Sequence, residues 1–223
     1  MKLKSTNSDI FVPDGTSIEK ALKRTTHLAV AAHQDDVEIF AYHGIAECFR
    51  KNDKWFTAVI VTNGAGSPRG GIYKDYTDEQ MCEIRKIEQR KAATIGEYSM
   101  LIQLCYPSNS VKDSKKLDVV TDIEGILAEC QSDIVYLHNP ADKHDSHVAV
   151  FLCALKALRN LPDSLKPSKV YGCEVWRDLD WLSDNEKIPL DVSNYKNIAA
   201  SLVGIFDSQV TGGKRYDLAT IGR

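Results

Sequence analysis

Residues 29–44 read AVAAHQDDVEIFAYHG, an apolar run that meets a histidine and two adjacent aspartates before a helical pattern begins. The apolar run predicts a buried strand, and the pattern after the aspartates predicts an amphipathic helix. Taking carboxylates out of water without a partner or a cation is strongly unfavourable. The crowding of His33, Asp35 and Asp36 at the end of a core strand therefore indicates that these side chains bind something.

The same alternation of strand and helix continues along the chain. Strands are predicted at residues 27–32, 56–62, 102–106, 133–137 and 169–175. Helices are predicted at residues 37–50, 77–95, 117–130 and 147–159. This alternation predicts an α/β fold with a mainly parallel sheet and helices on both faces. The length of 223 residues favours a single domain that spans residues 1–223.

The charge balance and the cysteine pattern narrow the partners and the compartment. With 28 Lys and Arg against 31 Asp and Glu, the chain lacks the positive excess of nucleic-acid binders, so a small-molecule partner is favoured. The six cysteines form no CxxC pair, which is typical of a reducing, cytoplasmic setting. No apolar run approaches the roughly 18 residues of a membrane span, and the N-terminus lacks the apolar core of a signal peptide. A homo-oligomer is left open.

The predicted helix at 77–95 has marked ends. Thr77 and Gln80 form a capping-box pattern at its start, and Gly96 stands where a left-handed residue often follows a helix. Its expected core stripe consists of Met81, Ile84, Ile87 and Ile95. The preceding residues 63–76, NGAGSPRGGIYKDY, are too long and too rich in glycine for a plain turn, and we expect a functional loop there.

A second histidine motif, HDSH at residues 144–147, follows the fourth predicted strand as the first motif follows the first strand. In an open parallel sheet the carboxyl ends of the strands meet at one edge, where ligands bind. His33, Asp36 and His147 can therefore supply the three protein ligands of a catalytic zinc that keeps one position for water.

Two further ionisable groups lie beside these candidate ligands. Asp35 points away from its neighbour Asp36 and can act as a general base towards the attacking water. His144 lies one helical step from His147 and, if protonated, can stabilise an oxyanion or donate a proton to a leaving amine. The constellation indicates metal-assisted hydrolysis.

Each motif also has a purely structural interpretation. Asp35 can cap the helix that begins near residue 37, and His33 can be an ordinary buried histidine. Asp145 or Ser146 can be an ordinary N-cap of the helix after the second motif. His27 and His43 are interpreted as structural, whereas His138, at a strand end, is a candidate for supporting the metal ligands. It is the occurrence of both motifs at the same edge of the sheet that favours a functional site.

The motifs resemble those of the PIG-L/LmbE-like family of zinc-dependent N-deacetylases. Residues 32–36, AHQDD, match the family's AH-P-DD-E signature up to its acid, whose place Val37 occupies with Glu38 one residue later, and residues 144–147 match its late HxxH. Further matches are Thr62-Asn63-Gly64, the pair Arg85 and Glu88, and Ser208-Gln209. The resemblance covers residues 27–210, so that residues 1–25 stand as an N-terminal extension of the family-like core.

The resemblance implies a Rossmann-like fold and a Zn²⁺ ion, or another divalent ion such as Fe²⁺, held by His33, Asp36 and His147. It implies that Asp35 is the general base and that His144 assists at the oxyanion or the leaving group. The amide cleaved would be the acetamido group of an N-acetylglucosamine-type sugar or glycoconjugate. Two alternatives remain open, namely hydrolysis of a different amide, such as a thiol conjugate or an antibiotic intermediate, and a sugar- or nucleotide-binding module whose metal is structural.

Several residues are candidates for binding the substrate or for supporting the site. Asn63, Arg69, Arg85 and Trp176 are the expected substrate-binding residues, and Asp145 joins His138 as a candidate support for the histidines. Each has an ordinary alternative: a solvated ion pair of Arg85 with Glu88, a solvated loop arginine at Arg69, and a core role for Trp176. Gln34 replaces the family's proline, and the acidic residue that the family often carries after the third strand is replaced by residues 106–109, YPSN. We therefore expect sugar recognition to differ.

Overall fold

Six strands form one sheet in the order β1-β4-β3-β2-β5-β6, in a computed structural model that describes residues 2–221. The strands are β1 (Asp9–Phe11), β2 (His27–Ala31), β3 (Phe56–Thr62), β4 (Met100–Tyr106), β5 (Ile134–His138) and β6 (Lys169–Cys173). Strand β1 pairs antiparallel with β4, and the other pairings are parallel. The predicted mainly parallel sheet is confirmed, and β1 is an edge strand that the sequence pattern does not indicate.

Helices cover both faces of this sheet. They are α1 (Ile18–Lys23), α2 (Asp36–Phe40), α3 (Tyr42–Cys48), α4 (Asp78–Ile95), α5 (Ser108–Lys112), α6 (Asp118–Cys130), α7 (Asp145–Asn160), α8 (Lys196–Gly204), α9 (Asp207–Gln209) and α10 (Tyr216–Ile221). The single helix predicted at 37–50 is wrong, because the backbone of Ala41, with φ of −108°, separates α2 from α3. Within the described chain, no helix is both long enough and apolar enough to cross a membrane.

Two hydrophobic cores lie on opposite faces of the sheet. Successive side chains of a strand point to opposite faces, so Leu28 and Val30 of β2 pack with α1, α6 and α7. Ala29 and Ala31 of the same strand pack with α2, α3 and α4. The sheet is therefore buried on both faces, as parallel sheets usually are, and the predicted α/β class is confirmed.

The longest helix, α4, differs from its predicted form in its buried face. The capping box of Thr77 and Gln80 is confirmed, with both reciprocal hydrogen bonds present. Of the predicted apolar stripe, Met81 is buried and Ile95 packs against the core, but the prediction is wrong for Ile87, which is 45% exposed, and three of the buried residues are polar. These polar residues are Arg85, Glu88 and Gln89. A core-facing helix that carries buried charges needs partners for them, and the partners come from the segment that follows β2.

The end of α4 also departs from the prediction. Gly96 has φ of −77°, so it is right-handed, and the left-handed residue is Glu97, with φ of 53°. Glycine is needed at 96 for space, because a Cβ there would overlap Cε1 of the buried Tyr98 ring.

Candidate functional site

The two histidine motifs meet because β2 and β5 are adjacent and parallel. Val30 pairs with Leu137 near the ends of these strands, so the segments that follow them leave the sheet side by side. His33 follows β2, and His147 lies in the first turn of α7, which follows β5. The sheet topology therefore places both motifs at one carboxyl edge, as ligand sites in open parallel sheets require.

The candidate metal ligands form a nearly equilateral triangle of donor atoms. Nδ1 of His33 lies 3.3 Å from Oδ2 of Asp36 and 3.3 Å from Nε2 of His147. The third side, between Nε2 of His147 and Oδ2 of Asp36, is 3.5 Å. Two donors bonded tetrahedrally to zinc at 2.0–2.1 Å lie about 3.3 to 3.4 Å apart. The triangle fits a divalent ion, and the donor set suits zinc.

The imidazole of His147 is held by a carboxylate that the sequence analysis did not single out. Oδ2 of Asp142 lies 2.9 Å from Nδ1 of His147, and Oδ1 of Asp142 accepts the backbone N–H of His144. Because an ionised carboxylate only accepts, Nδ1 of His147 carries the proton and Nε2 presents a lone pair to the triangle. Burial lowers the pKa of His147, but the nearby carboxylates of Asp36 and Asp142 outweigh burial and raise it. A carboxylate behind a ligating histidine is the usual way to fix its ring.

His138 supports the site from the end of β5. It is fully buried, and its ring stacks on that of His147 with centroids 4.0 Å apart. Its Nε2 accepts the backbone N–H of Ala32 at 2.9 Å, so the neutral ring carries its proton on Nδ1. Burial lowers the pKa of His138 to about 4, which favours that neutral form. The residue thereby ties the end of β2, just before His33, to β5.

Asp35 is buried and occupies a strained backbone position. Its φ is 91°, a left-handed value that a non-glycine residue adopts only at a cost of about 1 to 3 kcal/mol. Its side chain makes no capping hydrogen bond to α2, so the interpretation of Asp35 as a simple helix cap is wrong. Instead, Oδ2 accepts a hydrogen bond of 3.0 Å from Nη2 of Arg85. Burial raises the pKa of Asp35 to about 6, against the opposing effect of the Arg85 guanidinium.

Arg85 links Asp35 to the C-terminal part of the chain. It is 1% exposed, so the interpretation as a solvated surface pair with Glu88 is wrong. Its guanidinium donates to the backbone carbonyl of Gln34 and lies 3.4 Å from Oε2 of Glu88. Glu88 in turn accepts both the backbone N–H and the hydroxyl of Ser208, at 2.8 and 2.7 Å. The buried face of α4 thus orients the segment that carries Asp35.

His144 lies at the mouth of the site as the N-cap of α7. Its Nδ1 accepts the backbone N–H of Ser146 at 3.2 Å, so the cap is His144 itself rather than Asp145 or Ser146. Burial, followed by the neighbouring imidazoles of His33 and His147, lowers the pKa of His144. The ring is therefore neutral at pH 7 and carries its proton on Nε2. Its centroid lies 5.0 Å from that of His33 and 4.6 Å from that of His147.

The remaining candidates from the sequence are Asn63, Arg69, Asp145 and Trp176. Oδ1 of Asn63 accepts the N–H of Ala65, so it serves its own loop. Arg69 donates to Asp78 and to a loop carbonyl. Asp145 is exposed, 3.5 Å from Nδ1 of His144, and bonded to Lys112 at 2.7 Å. Trp176 lines a cavity of about 350 Å³ that also contains His144 in its wall.

A larger cavity of about 690 Å³ lies elsewhere, at the amino ends of β2 and β5. Its lining includes Thr25, Thr26 and Asp133 and none of the candidate ligands. The arginine in its wall, Arg24, is bonded to Asp14 at 2.8 Å. Size alone therefore does not identify the functional cavity.

Residues 28–158 match the PIG-L family model, GlcNAc-PI de-N-acetylase. The chain is 26% identical over 154 residues to an uncharacterised deacetylase, YaiS, of Escherichia coli (strain K12), which covers 69% of this chain and 79% of that protein. The family match spans the segments that carry both histidine motifs.

Two solved structures illustrate the fold. N,N'-diacetylchitobiose deacetylase from Pyrococcus horikoshii has a TM-score of 0.65 at 16% identity, covering 83% of this chain and 70% of that one. GalB, the 4-carboxy-2-hydroxymuconate hydratase from Pseudomonas putida KT2440, has a TM-score of 0.66 at 19% identity, covering 86% and 82%. Since one neighbour is a deacetylase and the other a hydratase, the fold alone does not decide the reaction.

Proposed function

Because this chain belongs to the GlcNAc-PI de-N-acetylase (PIG-L) family, we propose that it is a metal-dependent hydrolase of acetamido sugars. The bond cleaved is the amide of an N-acetylglucosamine-type sugar or glycoconjugate, and the products are acetate and a free amine. The observation that carries the proposal is the triangle of donor atoms from His33, Asp36 and His147, with sides of 3.3 to 3.5 Å.

The proposed ion is Zn²⁺, and Fe²⁺ is an alternative that the same donors can bind. Such an ion supplies Lewis acidity, which polarises a carbonyl oxygen and lowers the pKa of a water. Asp142 supports this arrangement because it keeps the proton of His147 on Nδ1 and the lone pair of Nε2 directed to the triangle.

Asp35 is proposed to accept the proton of the attacking water. A general base works best with a pKa near the operating pH, and burial brings that of Asp35 to about 6. The hydrogen bond from Arg85 restricts the orientation of the carboxylate. Asp35 then returns the proton taken from water to the amine nitrogen, and the C–N bond of the tetrahedral intermediate breaks as the amine leaves.

His144 is proposed to stabilise the oxyanion. Its Nδ1 is engaged as an acceptor, which leaves Nε2–H as its donor. A neutral imidazole donor needs no proton transfer to stabilise developing negative charge. This role differs from that of the protonated histidine that the motif spacing suggests.

The test measures the amounts of acetate and free amine that the protein releases from N-acetylglucosamine, its phosphates and its glycosides. We expect equal amounts of both products, loss of activity after chelation, and recovery when Zn²⁺ or Fe²⁺ is restored. Intact folding throughout is checked by circular dichroism. A folded, metal-restored protein that releases no acetate from any of these compounds would contradict the proposal.

A further inference from the structure

The cavity beside His144 has the size of a small-ligand site. Its volume of about 350 Å³ lies within the usual range of about 300 to 1,000 Å³. It is lined by Lys143, His144, Trp176, Lys214, Tyr216 and Ala219. His144, which forms part of the cavity wall, also contacts the rings of His33 and His147, so the cavity adjoins the site of the proposed reaction.

Two aromatic rings form one wall of this cavity. The ring centroids of Trp176 and Tyr216 lie 4.9 Å apart, with the planes at 69°. Trp176 is partly exposed towards the cavity, whereas Tyr216 is buried. Aromatic rings offer apolar faces to the carbon–hydrogen surface of a sugar, so the wall suits a pyranose.

The charges in the lining all have one sign. Nζ of Lys143 lies 5.6 Å from the centroid of the Trp176 ring, and Nζ of Lys214 lies 5.7 Å from that of Tyr216. Both lysines are exposed, and no carboxylate of residues 2–221 lies within 4 Å of either ammonium group. Nearby Lys112, by contrast, is bonded to Asp145 at 2.7 Å.

This local positive charge is not a consequence of the overall composition, because the chain has a net charge of −3. Among residues 2–221, no acidic residue lines the cavity. Ammonium groups without carboxylate partners, grouped around an aromatic wall, attract an anion that reaches them together with an apolar ring face.

We propose that Lys143 and Lys214 make this cavity selective for acetamido sugars that carry a phosphate or carboxylate group. The inference rests on the proposed function, since it assigns the substrate class of the same site. The acetamido group lies at the candidate metal ligands, the sugar ring lies against Trp176, and the anionic group contacts both lysines.

The experiment compares kcat/KM for N-acetylglucosamine, its 1-phosphate, its 6-phosphate and N-acetylmuramic acid. We expect at least one anionic compound to exceed the neutral sugar by about twentyfold, with the identity of that compound distinguishing phosphate from carboxylate. Lys143→Met and Lys214→Met should each lower kcat/KM for that compound about fivefold, through KM, and leave the neutral sugar unchanged. The advantage should shrink as salt is added. Lys91→Met, on the exposed face of α4 and absent from the cavity lining, is the matched control.

Equal kcat/KM values for neutral and anionic sugars would overturn this inference and leave the proposed deacetylase activity intact. A protein that cleaves none of them, and no glycoside of N-acetylglucosamine, would overturn the proposed function instead. In that case, calorimetry of glucosamine and glucosamine 6-phosphate with the metal-loaded protein tests the charge selection separately. Tighter binding of the phosphate, lost in both lysine variants, supports the inference, and equal binding of the two compounds contradicts it.

Discussion

The two ends of β2 carry histidines in contrasting surroundings. At the amino end, Nδ1 of His27 bonds the hydroxyl of Thr26 at 2.9 Å, and the ring stacks on that of Tyr136. Just beyond the carboxyl end, His33 points a nitrogen at a carboxylate and at a second imidazole, 3.3 Å from each. The first histidine has an ordinary partner for its polar atom, whereas the second belongs to a group of converging donors.

The two ends of β2 differ also in the buried polar atoms that have no hydrogen-bond partner. Within the described chain, the buried side-chain nitrogens and oxygens without a hydrogen-bond partner are Gln34 Oε1, Glu38 Oε2, Arg85 Nε and His138 Nδ1. All four belong to the segment after β2 or to residues that contact it. Unpaired buried polar groups cost stability, so their concentration at one edge supports the proposal of a functional site there.

The largest expected effect is the loss of turnover when Asp35 is replaced. Asp35→Asn keeps the shape and the acceptor for Arg85 but removes the base, so kcat should fall about 10³-fold. Acetate release measures the loss, and elemental analysis should show unchanged metal content. A variant that retains more than a tenth of wild-type turnover would remove Asp35 from the chemistry.

The next prediction compares the metal affinity of variants at two aspartates near His147, Asp142 and Asp145. Asp142→Asn should weaken metal affinity about 10- to 100-fold, because the neutral amide has one acceptor oxygen where the carboxylate has two, for the N–H of His144 and for Nδ1 of His147. Asp145→Asn, an exposed residue three positions later, is the matched control and should leave metal affinity unchanged. Competition against a chromophoric chelator measures both. Equal losses in the two variants would contradict the role of Asp142.

A third prediction concerns how the stability of the protein depends on pH through His27, at the amino end of β2. Burial lowers the pKa of His27 to about 4, below its ordinary value of 6.5, so between these values the unfolded chain binds more protons than the folded one. The free energy of unfolding therefore falls as the pH drops from about 6.5 to about 4. His27→Gln should remove on the order of 2 kcal/mol of this dependence.

Urea titrations at pH 4.5 and 7.5 compare wild type with His27→Gln. Activity at pH 7.5 should be the same in both, since His27 lies at the end of β2 opposite to the site. If the two proteins lose the same stability on acidification, the burial of His27 does not control it.

The smallest expected effect is a loss of stability at the start of α4. Thr77→Ala removes the cap of α4 and should cost about 1 kcal/mol of unfolding free energy. Because Thr77 contacts none of the site residues, kcat should not change. A drop in kcat without a drop in stability would extend the functional region to this cap.

Most of the fold could be predicted because its core strands are short apolar runs separated by helical patterns. The ligand candidates could be paired because parallel topology brings strand ends to one edge. Strand β1 could not be predicted, since three residues carry little local signal and their pairing depends on the free edge of β4. The division of the helix at Ala41 likewise has no breaker residue to mark it.

The rest of the site depends on contacts between segments distant in sequence. An i,i+3 pair of Arg85 and Glu88 has the same pattern whether it faces water or, as here, Asp35 and Ser208. Asp142 carries no helical or strand periodicity, although an aspartate shortly before an HxxH motif could have been weighed as a partner for it. Tyr216 lines the cavity although it lies near the end of the sequence, and no local sequence pattern predicts that position.

The proposed metal site is tested by the stoichiometry and affinity of divalent-ion binding after chelation and reconstitution. We expect about one Zn²⁺ per chain in the wild type, and a loss of binding in His33→Ala, Asp36→Ala and His147→Ala. His27→Gln should bind the ion as wild type does. Failure of the wild type to bind a divalent ion, or wild-type affinity in all three ligand variants, would contradict the account.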